Sequence, residues 1–150
     1  MSDRPPHILI IDAPYYSEIS AALCEGAEAV LDEAGARWTK VDVPGVLEIP
    51  AALSMAVAAC ERGDADYDGY VLLGCVIRGE TTHYDIVAGE SARAIMDLAV
   101  DRQLAVGNGI QTVENSAQAW ARARVSEKNK GGGAAEAALQ MIALQAVWKR

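Results

Sequence analysis

The chain has 150 residues, 51% of them apolar, and a formal net charge of −8. That length suits one domain spanning residues 1–150, whose core buries about two-thirds of the unfolded surface, and the apolar content excludes a disordered chain. The negative charge excludes non-specific binding to nucleic acid or anionic membrane surfaces, and the longest apolar runs fall short of the roughly 20 residues of a membrane span.

The opening "MSDRPPHILIID" has an acidic residue, two prolines and no cleavage-site pattern, so a signal peptide is not expected and a cytoplasmic location is. "HILIID" is a short apolar run between prolines and "AP", as in a buried strand. From Ile19, the residues Ala22, Leu23, Gly26, Ala27, Val30, Leu31 and Ala34 recur on one helix face, and Ala34-Gly35 supplies the stop. "ARWTKVDV" alternates and ends at Pro44-Gly45, which predicts a second strand and a turn. Pro50 suits the first turn of an alanine-rich helix that runs to "RGD".

"YDGYVLLGCVI" is the third and most apolar strand. The helix "YDIVAGESARAIMDLAVDRQ" follows, with Ile86, Ser91, Ala94, Ile95, Leu98 and Ala99 on one side. "LAVGNGIQTV" reads as a fourth strand despite its two glycines, and "ENSAQAWARA" as a short helix. A polar, flexible "RVSEKNKGGG" then leads to the last helix, "AAEAALQMIALQAVWKR", whose Lys149 and Arg150 suit the negative end of the helix dipole.

Strands alternating with helices predict an α/β fold with a parallel sheet covered on both faces. Ligands of such sheets bind outside the carboxyl ends of the strands. The segments to inspect are therefore 13–17, 44–49, 75–85 and 107–111. The first carries Tyr15 and Tyr16 in a chain without phenylalanine. The second carries Glu48 among apolar residues, either a ligand acceptor or a solvated loop carboxylate.

The third segment, "VIRGETTHYDIV", has the sharpest chemistry. Gly79 lets backbone N–H groups approach a ligand, and Thr81 and Thr82 offer hydroxyls. Thr82 and Asp85 have the spacing of a capping box, whose free amides and positive helix end suit a phosphate. His83 falls in the first turn of that helix. It is either a proton carrier beside the anion or a polar residue at a helix start. His7 opens a strand and reads as structural. Arg122, Arg124, Lys128 and Lys130 are candidate phosphate ligands, and spacing does not choose among them. Cys24, Cys60 and Cys75 fit neither a zinc pattern nor a disulfide framework and read as small buried hydrophobes.

"VPGVLEIP", "LGCVIRGETTHYDIV", "GNGIQTVEN" and "NKGG", in this order and spanning nearly the whole chain, resemble the 6,7-dimethyl-8-ribityllumazine synthases. The resemblance implies a flavodoxin-like three-layer sandwich with a four-stranded parallel sheet. It implies a transferase of riboflavin biosynthesis that condenses 5-amino-6-(D-ribitylamino)uracil with 3,4-dihydroxy-2-butanone 4-phosphate, without metal or organic cofactor. By the same resemblance, His83 is the proton-transfer residue, and Glu80, Thr81 and Arg122 bind phosphate; Thr82 and Lys130 remain further candidates from the residues alone. Tyr15, Val46, Leu47, Glu48, Cys75, Val76, Ile77 and Asn108 are then the pyrimidine and ribityl contacts.

The chain departs from this pattern at Asn108 and Tyr15, where many members have phenylalanine. The family assembles as pentamers with sites between subunits, and some members build icosahedral shells. "RVSEKN" lacks the glycines of many shell formers, and Pro5-Pro6 removes backbone donors near the start, so a free homopentamer is expected. The alternative is a flavin- or lumazine-binding scaffold with weak turnover.

Overall fold

Two strands of this chain are apolar along most of their length because neither of their faces meets water there. In the computed structural model, which describes residues 4–149, they are β1 (His7–Asp12) and β3 (Gly69–Ile77). The edge strands β2 (Arg37–Asp42) and β4 (Val106–Val113) complete a parallel sheet of order β2-β1-β3-β4. Three α-helices alternate with these strands, α1 (Ser17–Glu33), α2 (Ile49–Glu61) and α3 (His83–Asp101), and two more follow β4, α4 (Ser116–Ala123) and α5 (Lys130–Val147). Arg150 and residues 1–3, on which the dipole and signal-peptide readings partly rest, lie outside the described residues.

Successive side chains of a strand point to opposite faces, and the core divides accordingly. Ile8, Ile10, Val71 and Leu73 pack with Leu23, Ala27, Ala119 and Ala135, from α1, α4 and α5. Leu9, Ile11, Tyr70 and Leu72 pack instead with Ile49, Leu53, Val87 and Ile95, from α2 and α3. The result is a three-layer α/β sandwich, and its strand order matches the flavodoxin-like order 2-1-3-4. Among the described residues no helix is long and apolar enough to cross a membrane.

Three local expectations are corrected. Residues 107–111 form no loop at the strand ends, because they lie inside β4. The glycines there are required by packing: a Cβ on Gly107 would run into the Ala134 carbonyl, and one on Gly109 would lie 2.9 Å from the Ala134 Cβ. Likewise "GGG" is no flexible tract. α5 starts at Lys130, capped by Asn129, whose backbone takes a left-handed φ of 46° and whose side chain accepts from the Gly132 N–H at 3.3 Å. Gly131 faces the Leu23 carbonyl of α1 with no room for a side chain. On α3, Val87, Ser91 and Ile95 form the buried line, while Ile86 is 53% exposed. The rest of the periodicity reading holds: Ala94, Leu98 and Ala99 are half-buried beside Ser91 and Ile95, and Val87 takes the place expected of Ile86.

Near the carboxyl end of β1, Asp12 is 1% exposed. The Ser20 hydroxyl donates to its Oδ2 at 2.5 Å and Lys40 Nζ lies 3.7 Å from the same oxygen, but Oδ1 has no hydrogen-bond partner among the described residues. Burial raises its pKa above the ordinary 3.8, against the opposing pull of Ser20 and Lys40. The folded chain therefore holds this proton to higher pH than the unfolded chain does. Its contribution is most favourable below the unfolded value and is lost as pH rises through the folded one. Asp12→Asn should accordingly gain in melting temperature relative to wild type between about pH 4 and about pH 7. An equal difference at both pH values would mean that burial of this charge costs nothing.

Candidate active site

In a sheet of order 2-1-3-4, the connections from β1 and β3 leave in opposite directions, which opens a crevice at their carboxyl ends. A hollow of about 470 Å³ lies there. Tyr15 and Tyr16 enter it from the loop after β1, and Val46, Leu47 and Glu48 from a 3₁₀ turn before α2. Cys75, Val76 and Ile77 line it from the end of β3, and Gly79, Thr81, His83 and Tyr84 from the turn into α3. Nine of the residues expected at the site therefore converge within one chain.

The hollow has an apolar floor and a polar end. Val46 and Cys75 are 5% and 6% exposed, and burial pushes the Cys75 thiol up to about 11, so it stays protonated and serves as a wall. The Tyr15 and Tyr16 rings meet edge to face, with centroids 5.0 Å apart. Tyr15 is 75% exposed and has a face free to take a planar ring. Burial raises the Tyr16 pKa, which keeps its phenol a donor.

The expected Thr82–Asp85 capping box is absent. Thr82 has φ −75° and ψ 1° where a capping residue is normally extended, and its side chain makes no cap bond. Its neighbour substitutes: the Thr81 hydroxyl accepts from the His83 N–H at 3.3 Å. Asp85 turns away to Arg78, 3.4 Å from Nη1. The first turn of α3 thus has no carboxylate over its amides and is open to an outside anion.

Five other candidates are not in this lining. Glu80 is exposed, although Gly79 and Thr81 on either side line the hollow, and Thr82 sits at the helix cap. Asn108 lies within β4, where its side-chain oxygen accepts from the Ile110 N–H at 3.0 Å. Arg122 donates to the Gln118 carbonyl of its own helix at 3.0 Å, and Lys130 opens α5 on the surface. Among the basic alternatives, Arg124 pairs with Glu127 at 3.0 Å and stands over Trp120, whereas Arg122 forms no ion pair among the described residues. α4 itself is fixed by Asn115, which accepts from the Gln118 N–H at 2.9 Å, and by Gln118, which accepts from the Glu114 N–H at 2.8 Å.

The family model for 6,7-dimethyl-8-ribityllumazine synthase matches residues 5–146, from before β1 almost to the end of α5. The chain belongs to this family. It is 60% identical to 6,7-dimethyl-8-ribityllumazine synthase 1 of Rhizobium meliloti (strain 1021), over 95% of this chain and 93% of that protein. It is 57% identical to 6,7-dimethyl-8-ribityllumazine synthase of Agrobacterium fabrum, over 93% of this chain and 95% of that protein. The corresponding protein of Bartonella bacilliformis is 59% identical, over 93% and 90% of the two chains.

A second, larger hollow differs from this one in charge. A space of about 590 Å³ between α1 and β2 is lined by Asp12, Glu25, Glu28 and Asp32, with Lys40 as its one cation. Its acidic wall would repel a phosphate ester. Sequence reasoning noted Tyr16 without giving it a role, and it assigned none to Tyr84 or Val87. Arg78 was also passed over, and the signal for it was its place directly after β3, at the carboxyl end of the sheet where ligands bind.

Proposed function

We propose that this chain is a 6,7-dimethyl-8-ribityllumazine synthase. It condenses 5-amino-6-(D-ribitylamino)uracil with 3,4-dihydroxy-2-butanone 4-phosphate to the lumazine, phosphate and water. The observation that carries the reading is the pairing, in one hollow, of an aromatic and apolar wall with the start of α3, free of a carboxylate cap, that bears His83. The pyrimidine stacks on Tyr15 and lies against the Val46–Glu48 turn and the end of β3. The phosphate sits toward Thr81 and the first turn of α3. His83 moves protons as the amine and ketone form an imine, as phosphate is eliminated, and as the ribitylamino nitrogen closes the ring. Much of the acceleration comes from holding two mutually reactive partners together.

The same reading makes the enzyme a cytoplasmic homopentamer. Met55 on α2 and Met96 and Val100 on α3 are 70%, 63% and 71% exposed, an apolar surface suited to a neighbour. Arg122 and Asn108, absent from the lining of their own hollow, would serve an adjacent one. Arg122→Ala then raises KM for the phosphate substrate by about 10- to 100-fold, the loss of a charge-assisted contact, with KM for the pyrimidine changed far less. Equal effects on both would make Arg122 structural.

Mixing the purified chain with the two substrates tests the whole reading. Lumazine absorbance should rise faster than in the protein-free mixture. No acceleration, with lumazine still bound, would instead favour the binding-scaffold alternative. Sedimentation of the same sample distinguishes a pentamer from a shell.

A further inference from the structure

Arg78 follows the last residue of β3, and its backbone N–H donates to the Val113 carbonyl at 2.9 Å. Its Nε–H is shared between the two carboxylate oxygens of Glu114, at 3.1 and 3.0 Å, and Nη1 reaches Asp85 Oδ1 at 3.4 Å. The guanidinium carbon stands 4.2 Å from the centroid of the Tyr84 ring. One side chain thus joins the end of β3, the first turn of α3 and the corner between β4 and α4.

Stability does not account for this arrangement. The Arg78 side chain is 41% exposed and that of Glu114 57%, and exposed ion pairs contribute little to folding. Geometry does account for it. Thr82 offers no side-chain cap, and the Thr81–His83 contact is a long 3.3 Å, so side-chain capping holds the first turn of α3 only weakly. Tyr84 and Asp85, the two residues after His83, are the ones that Arg78 grips.

We propose that Arg78 is a positioning residue that sets the imidazole of His83 by clamping Tyr84 and Asp85 against Glu114. This rests on the reading of His83 as the proton carrier. The planar guanidinium is required, because a lysine ammonium cannot lie flat on Tyr84 while reaching carboxylates on two sides. Removing the clamp leaves the substrates their walls but lets the proton-transfer group drift, and a misplacement of about 1 Å can cost about 100-fold in rate.

The test compares Arg78→Gln in the wild-type chain and in a His83→Ala chain, using the full assembly and both substrates, with melting temperatures recorded alongside. In the wild-type chain kcat should fall about tenfold or more, with KM for the pyrimidine nearly unchanged. In the His83→Ala chain the same substitution should cause no further loss, and Arg78→Lys should not restore the rate. Equal losses in both backgrounds, or none in either, would overturn the proposal. If His83→Ala alone leaves kcat intact, the reading of His83 fails first and takes the clamp with it. Should Arg78→Gln not fold, Glu114→Gln tests the clamp from its other end and is expected to show the same dependence on His83.

Discussion

Replacing His83 by alanine lowers kcat by about 10- to 100-fold and leaves lumazine binding nearly unchanged. The imidazole is exposed at the first turn of α3 and lines the polar end of the hollow, away from the apolar floor formed by Val46 and Cys75. The loss sits at or below the low end of general acid–base effects because the reacting amine and ketone retain their own reactivity once held together. In free energy it is about 1.4 to 2.7 kcal/mol of barrier. Stopped-flow absorbance under saturating substrates reads kcat, and titration with lumazine reads binding. Added imidazole should restore part of the rate, since the hollow is open beside Tyr15. A variant with wild-type kcat would return His83 to the role of a polar helix-start residue.

The second large effect falls at the start of α5. Gly131→Ala destabilises the chain by about 3 kcal/mol or more, at the top of the range for overpacking, because the added carbon meets the Leu23 carbonyl rather than a side chain that can rotate away. For a domain of this size that is a fall of roughly 6–12 °C in melting temperature. Gly133→Ala, two residues on, supplies the control. A Cβ there meets nothing within 4 Å, and the same change should stabilise by up to about 1 kcal/mol through helix propensity. Thermal melts of the two variants side by side decide the matter. Equal melting temperatures would mean that α1 and α5 do not approach as closely as Gly131 requires.

The sequence was most informative where one local signal had one meaning. "HILIID" and "YVLLGCVI" are apolar without alternation because both become central strands, and Ala34-Gly35 ends α1 with Gly35 at a φ of 73°. The motif "GETTHYD" located both the polar end of the hollow and the helix start. It misled where one local signal had two meanings. Residues 107–111 look like a strand-end loop and 131–133 like a flexible tract, yet Gly107 in β4 and Gly131 in α5 are where backbones pack against one another. Thr82 and Asp85 have the spacing of a capping box, but Arg78 takes the carboxylate and Thr81 takes the amide.

By itself, the sequence determined the alternation of strands and helices, the apolar faces that make three layers, and the family. These depend on neighbours along the chain and on motifs of a few residues. Only the tertiary structure decided which of the candidate residues meet. Strand order brings the ends of β1, β2 and β3 around one hollow and leaves Asn108 and Arg122 outside it. That order is set by how the helical crossovers pack on the two faces of the sheet, a long-range balance that no local periodicity carries.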